Sequence, residues 1–203
     1  VDANYRNNGP NPRFHLYQAS IYEMPFAPGS FDKVFCLGVL QHTPDFKKSL
    51  FSLVNMVKPG GELVVDFYPI RGWYTKLHAK YLLRPFIKDM EHTKMLNLIR
   101  KHAGWMIALS RFNNQIGIGK FVNRFIPICD IQKTLPQNLS EEKLKEWVIL
   151  DTFDMFSPAY DDPQRLETVK RWMEEAGMKS VKAAFIPFGK EKIEAPVVKG
   201  IKP

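Results

Sequence analysis

Cysteine is scarce: two thiols, Cys36 and Cys129, in 203 residues. That is too few for a disulfide framework, and both lie in apolar stretches, so a reducing, cytoplasmic setting is expected. No uninterrupted apolar run approaches the roughly 18 residues of a membrane-spanning helix. Residues 1–6 hold no signal-peptide apolar core. Internal repeats and low-complexity tracts are missing too. His15, His92 and His102 are scattered without ligand spacing, so no metal is expected. Acidic residues are in deficit, 21 against 29 Lys and Arg, for a formal net charge of +8. Such an excess favours anionic partners (nucleic acid, anionic lipid or an acidic small molecule) without choosing among them. The remaining composition, 45% hydrophobic and 25% charged, is that of a globular chain able to close one substantial core. It excludes a disordered tail or a collagen-like repeat.

Residues 13–19, with Phe14, Leu16 and Tyr17 after Pro10 and Pro12, read as a strand. A turn-rich loop follows at 24–30. Residues 33–40 are almost continuously apolar, as expected of a parallel strand buried on both faces. Asp45 is placed to cap a helix whose apolar face is Phe46, Leu50, Leu53, Val54 and Val57. Lys58-Pro59-Gly60-Gly61 stops that helix, and 62–68 is the next strand. Strand, helix, strand is a crossover unit of an α/β sheet.

From 69 to 162 the pattern is helical, without a convincing strand. Helices are expected through Tyr74, Leu77, Tyr81 and Leu82, over 94–109, and after the capping box Ser140-Glu141-Glu142-Lys143. A stretch this long exceeds ordinary connections and is expected to form a helical cap. A last helix over 163–177, with Gly177 after it, precedes two strands at 180–186 and 195–201, joined at 187–191 as an antiparallel hairpin.

Two motifs in order carry a family likeness. Met24-Pro25-Phe26, Ser30-Phe31-Asp32 and Val39-Leu40-Gln41-His42 form the first. Met56-Val57-Lys58-Pro59-Gly60-Gly61 forms the second. With the terminal hairpin behind them, residues 1–68 and 163–203 resemble the class I S-adenosylmethionine-dependent methyltransferases, in particular the "type 11" group with its "LPF…SFD", "VLxH" and "LKPGG" signatures. The resemblance implies an α/β, Rossmann-like sheet with an antiparallel C-terminal hairpin and a large helical insertion. Three parts follow: 1–68 in the cofactor-binding half, 69–162 as a cap, and 163–203 as the last helix and hairpin. The family's glycine-rich loop and the acidic end of its second strand find no counterpart here. The chain is therefore expected to lack the N-terminal third of the domain, with 1–9 the tail of a helix. In the family's sheet the missing strands stand between the 13–19 and 33–40 strands, so 33–40 is expected to be an exposed apolar edge, open to homodimerisation.

The resemblance implies S-adenosylmethionine as cofactor, touched by Ser20, Ile21, Leu37, Gly38 and Val39. Ser20 stands where the family usually has an Asp. His42, with its near-neutral pKa, is the candidate base for an acceptor hydroxyl or acidic carbon; its alternative role is to hold the 43–45 loop. Gln41, Asp66, Tyr68, Asp151, Asp154 and Tyr160 are candidate substrate contacts, Asp66 having strand capping as its alternative. The expected acceptor is a small molecule, anionic in one version. The alternatives are a fragment that binds no cofactor and a nucleic-acid methyltransferase. Bases and aromatics interleave through Arg71, Trp73, Tyr74, Lys76, His78, Lys80, Tyr81 and Arg84, which suits a phosphate or carboxylate substrate, nucleic acid, or a solvated helix face. Residues 94–112, with Trp105, suit core packing or a membrane surface.

Overall fold

The computed structural model describes residues 1–9, 11–131, 139–188 and 193–203. Helix α1 (Asp2–Asn8) leads into strand β1 (Phe31–Cys36), helix α2 (Phe46–Met56) and strand β2 (Val57–Asp66). Helices α3 (Ala79–Ile87), α4 (His92–Gln115), α5 (Gly119–Val122) and α6 (Glu141–Phe156) follow. Helix α7 (Leu166–Glu175) then precedes strands β3 (Lys179–Phe188) and β4 (Ile193–Ile201). The sheet order is β1-β2-β4-β3, with β1 parallel to β2 and the other two pairings antiparallel. This is the mixed, open α/β sheet with its terminal hairpin that the sequence pattern implies. The hairpin turn at 189–191 and Pro10 lie outside the described residues.

Local chemistry sets the element ends. The Asp45 carboxylate accepts from the Lys48 amide at 2.9 Å and starts α2. The Ser140 hydroxyl accepts from the Lys143 amide at 3.4 Å and starts α6. Gly38, with φ +68°, turns the chain out of β1 before the short 3-10 turn Leu40–His42. Val57 and Lys58-Pro59-Gly60-Gly61, expected on the helix face and at its stop, instead begin β2, where Gly60 has φ +78° and Gly61 packs against Asp32 of β1. A Cβ at Gly61 would come within 2.8 Å of both the Asp32 carbonyl oxygen and Val57 Cγ1. Gly61→Ala is therefore expected to destabilise the fold by about 1–3 kcal/mol, the usual cost of overpacking, measured by urea denaturation.

One face of the sheet is covered. Leu50 of α2, Val169 and Met173 of α7, and Leu63, Val65 and Val198 of the sheet share one core. Two expectations fail here. Residues 13–19 form no strand: Phe14 and Tyr17 are exposed, and the nearest bridge is Ser20 with Glu23. No sheet neighbour stands beside them, and an extended segment without a partner ladder has nothing to hold it. The strand expected over 33–40 ends at Cys36 and is buried on one face only, leaving Phe35 61% exposed. β1 is an edge strand among the described residues, and α2 and α7 cover a single side of it.

Between Tyr68 and Gln164 the described residues are helices, turns and coil, apart from a parallel bridge of Pro69 with Gln164. This segment has apolar clusters of its own. One joins Met106, Ile107, Ile128 and Val148; another joins Met95, Ile99 and Phe156. Helix α4 buries Met95, Ala103 and Met106 and exposes Leu98, Trp105 and Phe112. No helix is long and apolar enough to cross a membrane, among the described residues.

Candidate active site at the strand ends

The carboxyl ends of β1 and β2 meet at Gly38 and Asp66. The Gly38 amide donates to the Asp66 carboxylate, which ties this side chain to the backbone turn. A Cβ built on Gly38 meets nothing within 4 Å, and Leu37 and Val39 beside it are exposed. The turn is an open, apolar-flanked shelf. Nearby, the Ser20 hydroxyl accepts from the Tyr22 amide at 3.2 Å, and Ile21 packs partly against the main core.

Gln41 is fully buried. Its Nε2 donates to the Gly38 carbonyl at 2.9 Å, while Oε1 has no partner among the described residues. It braces the turn and does not line the cavity described below. His42 is half-buried, with Nδ1 3.0 Å from the Tyr160 carbonyl oxygen. A carbonyl only accepts, so Nδ1 carries the proton and Nε2 of the neutral ring keeps its lone pair. The partner is therefore Tyr160 and not the 43–45 loop. The Tyr160 side chain itself is exposed; only its backbone reaches the site.

The segment 158–164 straps the helices to the strand ends. The Asp162 amide donates to the Gln41 carbonyl at 2.8 Å, and the Gln164 amide to the Tyr68 carbonyl at 3.0 Å. From α3, Arg84 donates to the Pro158 carbonyl, and Lys80 Nζ lies 2.5 Å from Asp161 Oδ2. This ion pair is buried, with side-chain exposures of 9% and 0%. Lys80 Nζ also sits 4.5 Å over the Tyr68 ring, which in turn meets the His42 ring edge-on at 5.4 Å. Burial lowers the Lys80 pKa, and Asp161 opposes the shift. Burial raises the Tyr68 hydroxyl, and the charges of Asp154, Asp161 and Asp151 add to the effect. Tyr81 is raised in the same way, first by burial.

Beside this cluster lies a cavity of about 770 Å³. Tyr68 and Pro69 form its sheet-side lip; residues 71–78, helices α3 to α6 and residues 123–130 contribute the rest. Of the sequence candidates, Tyr68, Asp151 and Asp154 line it, whereas Gln41, His42, Asp66 and Tyr160 do not; His42 stands behind the lining residue Tyr68, its ring 5.4 Å from that ring. Arg71, Tyr74, His78, Lys80 and Tyr81 also face it, while Trp73 is 81% exposed. Ser110, Asn114, Lys120, Asn123 and Arg124 are lining residues that carried no sequence signal. No motif marks them: they converge only because α4 and the 119–125 segment fold together, with Asn123 Nδ2 donating to Asn114 Oδ1 at 3.0 Å. A cavity of this size and mixed lining suits a small ligand.

Residues 1–65 match a family model described as a methyltransferase domain. An uncharacterized protein of Synechococcus is 26% identical over 180 residues, covering 85% of this chain and 37% of that protein. A tRNA U34 carboxymethyltransferase of Pseudoalteromonas atlantica is 36% identical over 63 residues, covering 31% of this chain and 19% of the relative. The counterpart in Helicobacter acinonychis is 26% identical over 140 residues, covering 69% and 47%. A solved S-adenosylmethionine-dependent methyltransferase of Thermotoga maritima superposes with TM-score 0.43 at 14% identity, over 91% of this chain and 62% of that one. The chain thus spans less than half the length of these curated relatives. The likeness to a methyltransferase domain thus rests on residues 1–65, which carry the strand-end turn and the Lys-Pro-Gly-Gly segment.

Proposed function

We propose that this chain forms the acceptor side of a methyltransferase site and that a small polar molecule binds in the cavity beneath the 69–162 segment. One observation carries this reading: the 158–164 strap ties the cavity wall to His42 and Tyr68 at the strand ends. In this reading 1–68 and 163–203 are the sheet domain and 69–162 is its cap.

The family's cofactor, S-adenosylmethionine, supplies when bound a methyl group on a sulfonium. The open Gly38 shelf, whose missing Cβ leaves free space, fits one wall of its site. Gly38, Leu37 and Val39 would hold the cofactor there, with Ser20 and Ile21 alongside. Because the electrophile belongs to the cofactor, the protein's work is to orient the acceptor and exclude water. Tyr68, Asp151 and Asp154 orient the acceptor. His42 Nε2, its lone pair fixed by the Tyr160 carbonyl, takes the acceptor's proton.

The test is transfer of label from methyl-labelled S-adenosylmethionine by the full-length gene product to a small-molecule extract and, separately, to bulk tRNA. Label in the small-molecule fraction supports the reading, and label confined to tRNA overturns it. An RNA acceptor is the second reading, favoured by the net charge of +8 and by the relatives named as tRNA carboxymethyltransferases. The uncovered edge strand also supports self-association. Light scattering on the 203-residue chain is expected to show a dimer or larger species, and a monodisperse monomer at micromolar concentration counts against that.

A further inference from the structure

The cavity walls differ in charge. Helix α6 contributes Asp151 and Asp154, one turn apart and both within electrostatic reach of the Tyr68 hydroxyl at the strand end. The 119–125 segment contributes Lys120 and Arg124, also one turn apart. Two other cavity cations are already neutralised: Lys80 by Asp161, and Arg71 by Glu194 at 3.3 Å. Asp130 is engaged in a contact of its own. Neither Lys120 nor Arg124 has an ion pair among the described residues.

Arg124 is held in place, its guanidinium 5.6 Å from the centre of the Tyr74 ring. His78 beside it accepts from the Lys80 amide through Nδ1 at 3.2 Å. Burial and the charges of Lys80 and Arg124 favour the neutral ring, which then carries its proton on Nε2. This part of the lining gathers donors, two of them fixed positive charges with no ion pair among the described residues, alongside the carboxylate of Asp130. Helix α6 presents to the same cavity a carboxylate, Asp154, within electrostatic reach of the Tyr68 hydroxyl.

We propose that the acceptor is a dipolar small molecule, its acidic group held by Lys120 and Arg124 and its amino or other hydrogen-bond-donating group directed at Asp154. A planar guanidinium and an ammonium at one end suit a phosphate, sulfonate or carboxylate. A carboxylate at the other end accepts from, or pairs with, an amine. The concave, residue-lined shape favours a free small molecule over a polymer's phosphates. The assignment rests on the cavity being the acceptor site.

The test uses three matched probes on the full-length gene product by saturation-transfer NMR: taurine, which is dipolar, ethanesulfonate, which is anionic, and ethylammonium, which is cationic. Taurine is expected to bind most tightly. The Lys120→Gln, Arg124→Gln double variant is expected to weaken taurine and ethanesulfonate about tenfold and to leave ethylammonium unchanged. Asp154→Asn is expected to weaken taurine and ethylammonium and to spare ethanesulfonate. The Lys120→Arg variant, which keeps the charge, is expected to retain taurine. Equal binding of all three probes, or variants that weaken them without distinction, would overturn the proposal. Selective taurine binding by a protein that transfers no methyl group would uphold the dipolar site and remove the transferase reading alone.

Discussion

Lys80→Met is expected to lower the free energy of unfolding by about 3–5 kcal/mol, the largest single-residue effect outside the apolar core. The reason is what it leaves behind. The Asp161 carboxylate is fully buried, and Lys80 Nζ at 2.5 Å is its counterion. Asp161 Oδ1 has no hydrogen-bond partner among the described residues, so Lys80 is the one cation paired with it there. Removing one member of a buried pair strands the other, whereas replacing both removes the desolvation penalty as well. The double variant Lys80→Met, Asp161→Leu is therefore expected to recover most of the loss. Urea denaturation of the two variants checks this. A loss below about 1 kcal/mol for Lys80→Met would mean that the pair behaves as an exposed one.

His42→Ala in the full-length protein is expected to lower turnover by roughly 10²- to 10⁴-fold, the range for a lost general base, with little change in S-adenosylmethionine affinity. The competing role is structural, since His42 is bonded to the strap through Tyr160. His42→Asn separates the two. Its amide can still donate to the Tyr160 carbonyl, but it offers no basic nitrogen. If the ring is the base, Asn is as inactive as Ala while stability recovers. Recovery of both turnover and stability in His42→Asn would assign the ring to holding the strap.

Much of the sheet was legible because its signals are local. Asp45 and Ser140 cap helices α2 and α6 from their own sequence neighbourhoods. Helix α2 ends at Met56 with Val57 already extended, and Lys58-Pro59-Gly60-Gly61 enters strand β2 directly. Residues 13–19 show the opposite case. Their apolar alternation is that of a strand, but a strand exists only against a partner, and partner contacts are not encoded locally. The site was legible in part. Tyr68, Asp151 and Asp154 reach the cavity. Gln41 and Asp66 sit at the expected strand ends and spend their polar atoms on the Gly38 turn. Tyr160 contributes through its carbonyl, a role no side-chain pattern reports. The Lys80–Asp161 pair spans 81 positions of sequence, so only the folded strap brings it together.

In the proposed reading, cofactor and acceptor meet where the Gly38 turn and the 158–164 strap adjoin. Hydrogen–deuterium exchange on the full-length gene product, with and without S-adenosylmethionine, tests it most directly. Slowed exchange is expected of the amides at 37–42, extending into 158–164 through the hydrogen bond between Asp162 and Gln41. Protection confined to the hairpin strands β3 and β4, with 37–42 unchanged while the cofactor is bound, would contradict it.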